Sequence, residues 1–287
     1  MFSGSKELKM LLEELFNEGV KIPSLPEVFY QFKKAVDDPN SAFEELSQII
    51  SSDTGLTTHL LKIVNSPFYG LSSKVETISH AISIIGGDQL SDLVLSTCVL
   101  NKFKNIPSKA LDMKLFWEHN IACALASKII SSHLNIGCPD SIFVSGLLHD
   151  IGRLVISINI PDKFNEIFLL AQMNNSQLLV AENKILGFGH DEVGGELLRR
   201  WELPEIHIET VRFHHSPAKT PLFAKEASIV CIANSLADML VLGSSGEMQE
   251  SKIEREPLEI LGVSEETILD FTKEIKEQYE GTIDMIL

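Results

Sequence analysis

Histidine and aspartate dominate the chemistry open to this chain of 287 residues. His149 is followed at once by Asp150 in GLLHDIGRL, and His214 and His215 are adjacent in VRFHHSP. His190 opens GHDEVGGELLRRW, and His119 lies in FWEHNIACA. Imidazole and carboxylate are donors suited to hard and borderline first-row divalent ions. A carboxylate that bridges two ions, the role Asp150 could fill, is what a two-metal hydrolytic centre requires. The competing account is a polar network satisfied by its own hydrogen bonds or by water, with no ion in it. His59, His80, His133 and His207 stand apart from these segments and read as surface or satisfied core residues.

Such side chains need rigid elements to hold them, and the hydrophobic period supplies helices. Leu8, Leu11, Leu12, Leu15 and Phe16 form one apolar stripe. Phe43, Leu46, Ile49 and Ile50 form another, introduced by Ser41 with Glu44 three residues on, the pattern of a capping box. Asp53 is placed to cap a helix with Leu56, Leu60, Ile63 and Val64 on its inner face. Asn65-Ser66-Pro67 should end it, because proline disfavours helical geometry in the residue before it. Gly86-Gly87 reads as a helix C-terminus, and Asp88 as the cap of the next helix through Leu90, Leu93, Val94 and Thr97.

Strand-like alternation is almost absent, so the expected fold is all-α. It divides into an N-terminal helical lobe over 1–105 and a second helical lobe over 106–287, with the boundary in NKFKNIPSK at 101–109. Helices are expected around 113–132, 140–158, 162–174, 177–186, 190–201, 204–215, 223–240 and 264–280. Gly243 to Pro257 is rich in Gly, Ser and Glu without an apolar face, and reads as a mobile surface loop. The glycines of HDEVGGEL suit close packing on a neighbouring helix. Trp117 and Trp201 suit core packing near the histidines, and NSPFYG suits a structural turn. The acidic C-terminal helix reads as a solvated face.

The composition, 44% hydrophobic and 22% charged, is that of a globular chain with ample core material. A net charge of −16 argues against nucleic-acid binding through a basic face. Cys98, Cys123, Cys138 and Cys231 lie far apart with no CxxC spacing, and three of them, set among apolar residues, read as buried free thiols. No leader-like start and no apolar run near the roughly 20 residues of a membrane span are visible, so a cytoplasmic protein without membrane contact is expected. No glycine-rich nucleotide loop is present, and no cofactor other than metal is expected.

Taken together, GLLHDIGRL, GHDEVGGELLRRWELP and VRFHHSP resemble the HD superfamily of metal-dependent phosphohydrolases. IPSLPEVF, SDTGLTTHLLKIVNSPFYG and AISIIGGDQL narrow the resemblance to the HDOD family, the HD-related output domains of bacterial signalling proteins, over about 20–240. Set beside the related HD-GYP phosphodiesterase pattern, the resemblance implies His119 as the first histidine ligand and His149 with Asp150 as the HD pair. It implies three further ligands in His190, His214 and His215. The final aspartate of the pattern is here Asn234. Asp238, one helical turn on, would face the same way and could substitute. One metal position, Asp150 with His190, His214 and His215, is thus complete. The other, around His119, His149 and Asn234, has lost a carboxylate.

Arg153 stands where that pattern has lysine, keeping charge but not a compact ammonium. Ser216-Pro217-Ala218 replaces the GYP segment. The resemblance therefore implies a regulatory signalling module with protein partners, binding divalent Fe, Mn, Zn or Ni without catalysis. The alternative it leaves is a divalent-metal-dependent phosphohydrolase or cyclic-dinucleotide phosphodiesterase, with Asp150 and Arg153 as its catalytic residues.

Overall fold

A computed structural model describes residues 12–16, 24–67, 69–104, 106, 111–244, 246–247 and 251–287, and none of these is in a β-strand. The all-α expectation holds. Leu8 and Leu11 of the first stripe lie outside the described residues; Leu15 is buried and Leu12 and Phe16 pack against the core.

The N-terminal part contains α1 (Glu27–Asp37), α2 (Phe43–Ser51), α3 (Thr54–Val64), α4 (Ile78–Ile85) and α5 (Gly87–Phe103). Asp53 caps α3, its Oδ1 accepting the Leu56 N–H at 2.9 Å. Asn65 fixes the turn after α3: its amide donates to the Leu61 and Val75 carbonyls and its oxygen accepts the Val75 N–H, each at 2.7 Å.

Three local expectations are corrected. The N-cap of α2 is Ala42, without a side-chain cap, because a turn in which Ser41 N–H bonds to the Asp38 carbonyl leaves Ser41 one residue early. Phe43, expected on the inner stripe, is 63% exposed. Gly86 (φ 94°, ψ 161°) both closes α4 and opens α5, so Asp88 sits inside the first turn of α5 and favours the helix dipole without capping.

The second part runs through α6 (Met113–Leu134), α7 (Pro139–Leu148), α8 (Ile151–Asn159), α9 (Pro161–Asn174), α10 (Leu178–Leu186), α11 (His190–Arg200) and α12 (Glu205–Phe213). A 3-10 turn at Pro217–Lys219 precedes α13 (Ala224–Met239), α14 (Arg255–Leu261), α15 (Glu265–Leu269) and α16 (Thr272–Ile286). The helix expected over 140–158 is two helices, broken at His149–Asp150, and that expected over 264–280 is also two. α6 lies at the centre, packed on α7, α13 and α16.

The main core joins Phe29, Phe32 and Leu60 to Trp117, Leu148 and Trp201, with the Phe103 and Trp201 rings 5.8 Å apart. The tryptophans are core residues, as expected. A second apolar cluster fills the space between α6, α13 and α16. α8 and α11 meet backbone to backbone: a Cβ on Gly152 would fall on the His190 carbonyl and the Gly194 N–H. The expectation of close packing at the HDEVGGEL glycines is met there.

The stretch Pro139–Asn159 is, contrary to expectation, long and apolar enough to cross a membrane, yet 89% of it is buried inside the protein as α7 and α8. The supposed mobile loop also has fixed anchors. The Ser244 N–H bonds to the Leu115 carbonyl, Ser251 donates to Asp238 at 2.8 Å, and Glu247 reaches Arg153. Residues 245 and 248–250 lie outside the described set.

Candidate metal centre

Neighbouring residues on a continuous α-helix diverge by about 100° around its axis, so an adjacent pair cannot both face one point. The chain solves this twice with a helix end. α7 stops at Leu148, Asp150 takes φ −97° and ψ 9°, and α8 starts at Ile151. α12 stops at Phe213 just before His214 and His215. His190 begins α11, while His119 projects from the middle of α6 and Asn234 from α13. All the expected residues converge.

They form two trios, His119 with His149 and Asp150, and His190 with His214 and His215; within each, the donor atoms lie within 4.8 Å of one another. Asp150 joins the trios, its Oδ1 lying 3.1 Å from His190 Nε2 and 3.9 Å from His214 Nε2. His190 Nε2 is itself 3.0 Å from His215 Nε2 and 3.4 Å from His214 Nε2. Nitrogens this close repel unless a proton or a cation lies among them.

The outer ring nitrogens determine the inner ones. His149 Nδ1 lies 2.7 Å from the Gly146 carbonyl, His214 Nδ1 2.7 Å from the Val211 carbonyl, and His190 Nδ1 2.6 Å from Glu182 Oε2. A carbonyl or carboxylate only accepts, so each Nδ1 carries a proton and each Nε2 is left to face inward. That Nε2 is bare on the neutral His214 and free to take a proton or a cation on His149 and His190, whose carboxylate neighbours favour positive charge. His119 departs from the pattern, because its Nε2 donates to an amide oxygen and its buried Nδ1 has no hydrogen-bond partner. Its Nδ1 faces Asp238 Oδ1 at 3.4 Å, and its Nε2 lies 2.9 Å from Asn234 Oδ1. Asp238 therefore stands behind His119, on the ring nitrogen opposite Asn234, as an orienting group; the expected substitution of the lost carboxylate is not what the geometry provides.

Charge follows from burial and neighbours. Burial opposes ionisation of Asp150, but Arg153, then His149 and His190, outweigh it and hold the carboxyl well below its usual range. Burial, with neighbouring imidazoles second, keeps His214 and His215 well below theirs and therefore neutral. Burial likewise lowers His119, with Asp238 opposing. His190 is pushed up to about 9: burial resists, and Glu182 foremost, then Asp150, prevail.

The donor set fits a divalent ion. Both Asp150 oxygens and His149 Nε2 are buried without a hydrogen-bond partner. Arg153 Nη1 balances the Asp150 charge from 3.2 Å. Such groups are costly in a protein interior unless something answers them.

Glu182 was not apparent in the sequence; its only signal is an acidic residue beside the buried Leu178 and Ala181 of α10. Glu247, placed in a supposed loop, was also missed. His59, His133 and His207 behave as expected, away from the centre. His59 bonds Asn101 and the Ile286 carbonyl, His133 stacks on Phe271 beside Glu274, and His207 lies between Ser145 and Asp92. A cavity of about 490 Å³ adjoins the centre, lined among others by His215, Asn234, Asp238 and Glu247.

An all-helical body that gathers histidines around an HD pair at helix ends defines a protein of the HD type. The HDOD domain model matches residues 22–217, and the chain belongs to the HDOD family. Among solved structures it is similar to an HDOD domain protein of unknown function from Geobacter sulfurreducens, with TM-score 0.83, 23% identity and 99% of both chains covered. A Shewanella amazonensis SB2B protein, provisionally described as a phosphohydrolase, gives TM-score 0.75 at 20% identity, covering 96% of this chain and 98% of that one. A Marinobacter aquaeolei VT8 protein, provisionally described as acting in signal transduction, gives 0.73 at 20% identity, covering 99% and 65%. At these identities the likeness is one of fold. An uncharacterized protein of Treponema pallidum (strain Nichols) is 28% identical over 256 residues, 88% of this chain and 48% of its own length. The chain thus spans about half of that curated relative.

Proposed function

We propose that this chain is a bacterial, cytoplasmic signalling module that holds divalent metal at the His/Asp centre, acts through protein partners and does not turn over phosphodiesters. The observation that carries the reading is the fate of Arg153. A phosphohydrolase holds a cation out to the phosphoryl group whose charge it must stabilise. Among the described residues, the one guanidinium at the centre is buried between Asp150 at 3.2 Å and Glu247 at 2.9 Å. The neutral Asn234 and a cavity lined by Asp238, Glu247, Glu254 and Glu256 against Lys252 support the same conclusion.

When bound, divalent iron, manganese, zinc or nickel supplies the positive charge that the bare nitrogens and Asp150 lack. His190, His214, His215 and Asp150 are the fuller donor group; His119, His149 and Asn234 complete the other side. Glu182, Asp238 and the Gly146 and Val211 carbonyls hold the rings. Because these donors sit at the ends of α7, α11 and α12, metal occupancy fixes how those helix ends stand. That gives the module a physical state for a partner to read.

The completeness of the histidine set favours a second reading, a metal-dependent phosphohydrolase or cyclic-dinucleotide phosphodiesterase. A turnover screen separates them. Manganese- or iron-loaded protein is assayed with a chromogenic phosphodiester and a cyclic dinucleotide, beside Asp150→Ala. The regulatory reading expects equal background rates; turnover in the wild type that vanishes in the variant would establish the hydrolase.

A further inference from the structure

Beside the centre, Arg153 and the first turn of α10 form a small polar seat. Glu247 fills it. Its Oε1 lies 2.9 Å from Arg153 Nη2, and the Leu178 N–H points at both carboxylate oxygens, at 3.3 and 3.2 Å. Leu178 is the first residue of the nine-residue α10, so its N–H belongs to the group left without a partner inside the helix. A helix N-terminus attracts anions, and a guanidinium does so more strongly. Arg153 is fully buried, which shields its charge from the salt that screens surface groups. These are the components of an oxyanion site, with the chain's own carboxylate as occupant.

Two features distinguish this from an ordinary buried ion pair. Glu247 borders the 490 Å³ cavity, as do Gln177 and Leu179 on either side of Leu178, so a competitor could reach the same donors without unfolding the chain. The backbone carrying Glu247 is not helical, and Gly243 and Gly246 take φ +78° and +94°, where a side chain is disfavoured. Gly243 lies against the His119 backbone, so the position of Glu247 is coupled to a ligand-bearing helix.

We propose that Glu247 is an internal stopper in a seat for a small oxyanion, a carboxylate or a phosphate group, which binds when the Glu247 side chain withdraws. The inference rests on the regulatory reading and gives the centre an input. Exposed Glu254 and Glu256 at the cavity oppose polyanions, which confines the ligand to small species.

The test uses the full chain treated with chelator, so that its outcome does not depend on metal. Inorganic phosphate and, separately, acetate are titrated calorimetrically into wild type, Glu247→Ala and Glu247→Gln. Removing a tethered competitor should tighten binding of at least one anion by about tenfold or more in the alanine variant. The glutamine variant, which keeps one accepting oxygen and loses the charge, should fall between. Phosphate preference assigns the seat to phosphate groups and acetate preference to carboxylates; either supports the proposal. Should Glu247→Ala fail to fold, Glu247→Gln decides alone. A folded variant that binds neither anion more tightly than wild type reduces Glu247 to a loop anchor and overturns the proposal.

Discussion

Fixing one nitrogen of an imidazole decides what the other can do, and that is how single residues shape this centre. Glu182 illustrates it, accepting from both the ring and the backbone N–H of His190 at 2.6 and 2.8 Å while fully buried. Glu182→Gln should keep the fold but lower metal affinity by roughly 10- to 100-fold, the usual range for such orienting groups. Chelator competition would measure this; an unchanged affinity would remove Glu182 from the centre. Asp150→Ala should cost up to about 3–5 kcal/mol in denaturant unfolding, because it removes one of the two carboxylates that answer the buried Arg153 and leaves Glu247 as the other. A midpoint equal to wild type would contradict that electrostatic account. The ligand candidates were legible in the sequence because adjacent HD and HH pairs are conspicuous. Glu182 and Glu247 were not, since their partners lie 8 and 94 residues away and nothing local marks them.

Helix ends, more than helices, make the site. Periodicity revealed the helices well: Leu56, Leu60, Ile63 and Val64 are all buried on α3, as expected. It could not reveal the break between α7 and α8, because both halves are buried almost throughout and the apolar run continues on either side of His149–Asp150. Ser41 and Asp88 failed as caps for a related reason. Capping depends on a one-residue register that the Asp38 turn and Gly86 determine. The 243–257 segment was misread because its anchors are polar and distant in sequence. The contact of α8 with α11 provides a direct test at this scale. Gly152→Ala should destabilise the protein by at least about 1–3 kcal/mol, as overpacking does, and also weaken metal binding, because it displaces His190. Ala at Gly262, where φ is +69° but the space is open, should cost only about 1–2 kcal/mol of backbone strain and leave metal binding intact. Equal metal losses in the two variants would contradict the assignment of the α8–α11 contact as the support of His190.

At the scale of the molecule, the last helix is tied back to the helices of the N-terminal part. α16 crosses from the second apolar cluster to the first: Ile275 is buried in one and Ile286 in the other. The Ile286 carbonyl lies 2.9 Å from His59 Nε2, and the Leu287 carbonyl accepts from Lys104 at 3.4 Å. The acidic sequence of this helix suggested a solvated face, which is correct for its outer side only. Deleting residues 272–287 should cost at least about 3 kcal/mol, from loss of the burial of two isoleucine side chains and exposure of the apolar surface they cover, read by tryptophan fluorescence during urea unfolding. An unchanged midpoint would show that the helix is dispensable.

The central claim, that the convergent histidines and Asp150 hold metal, is met most directly by elemental analysis of the full chain purified without added metal. The account predicts iron, manganese, zinc or nickel bound at a fixed ratio to protein and lost in Asp150→Ala. Protein free of all four, and still free after loading and desalting, would contradict it.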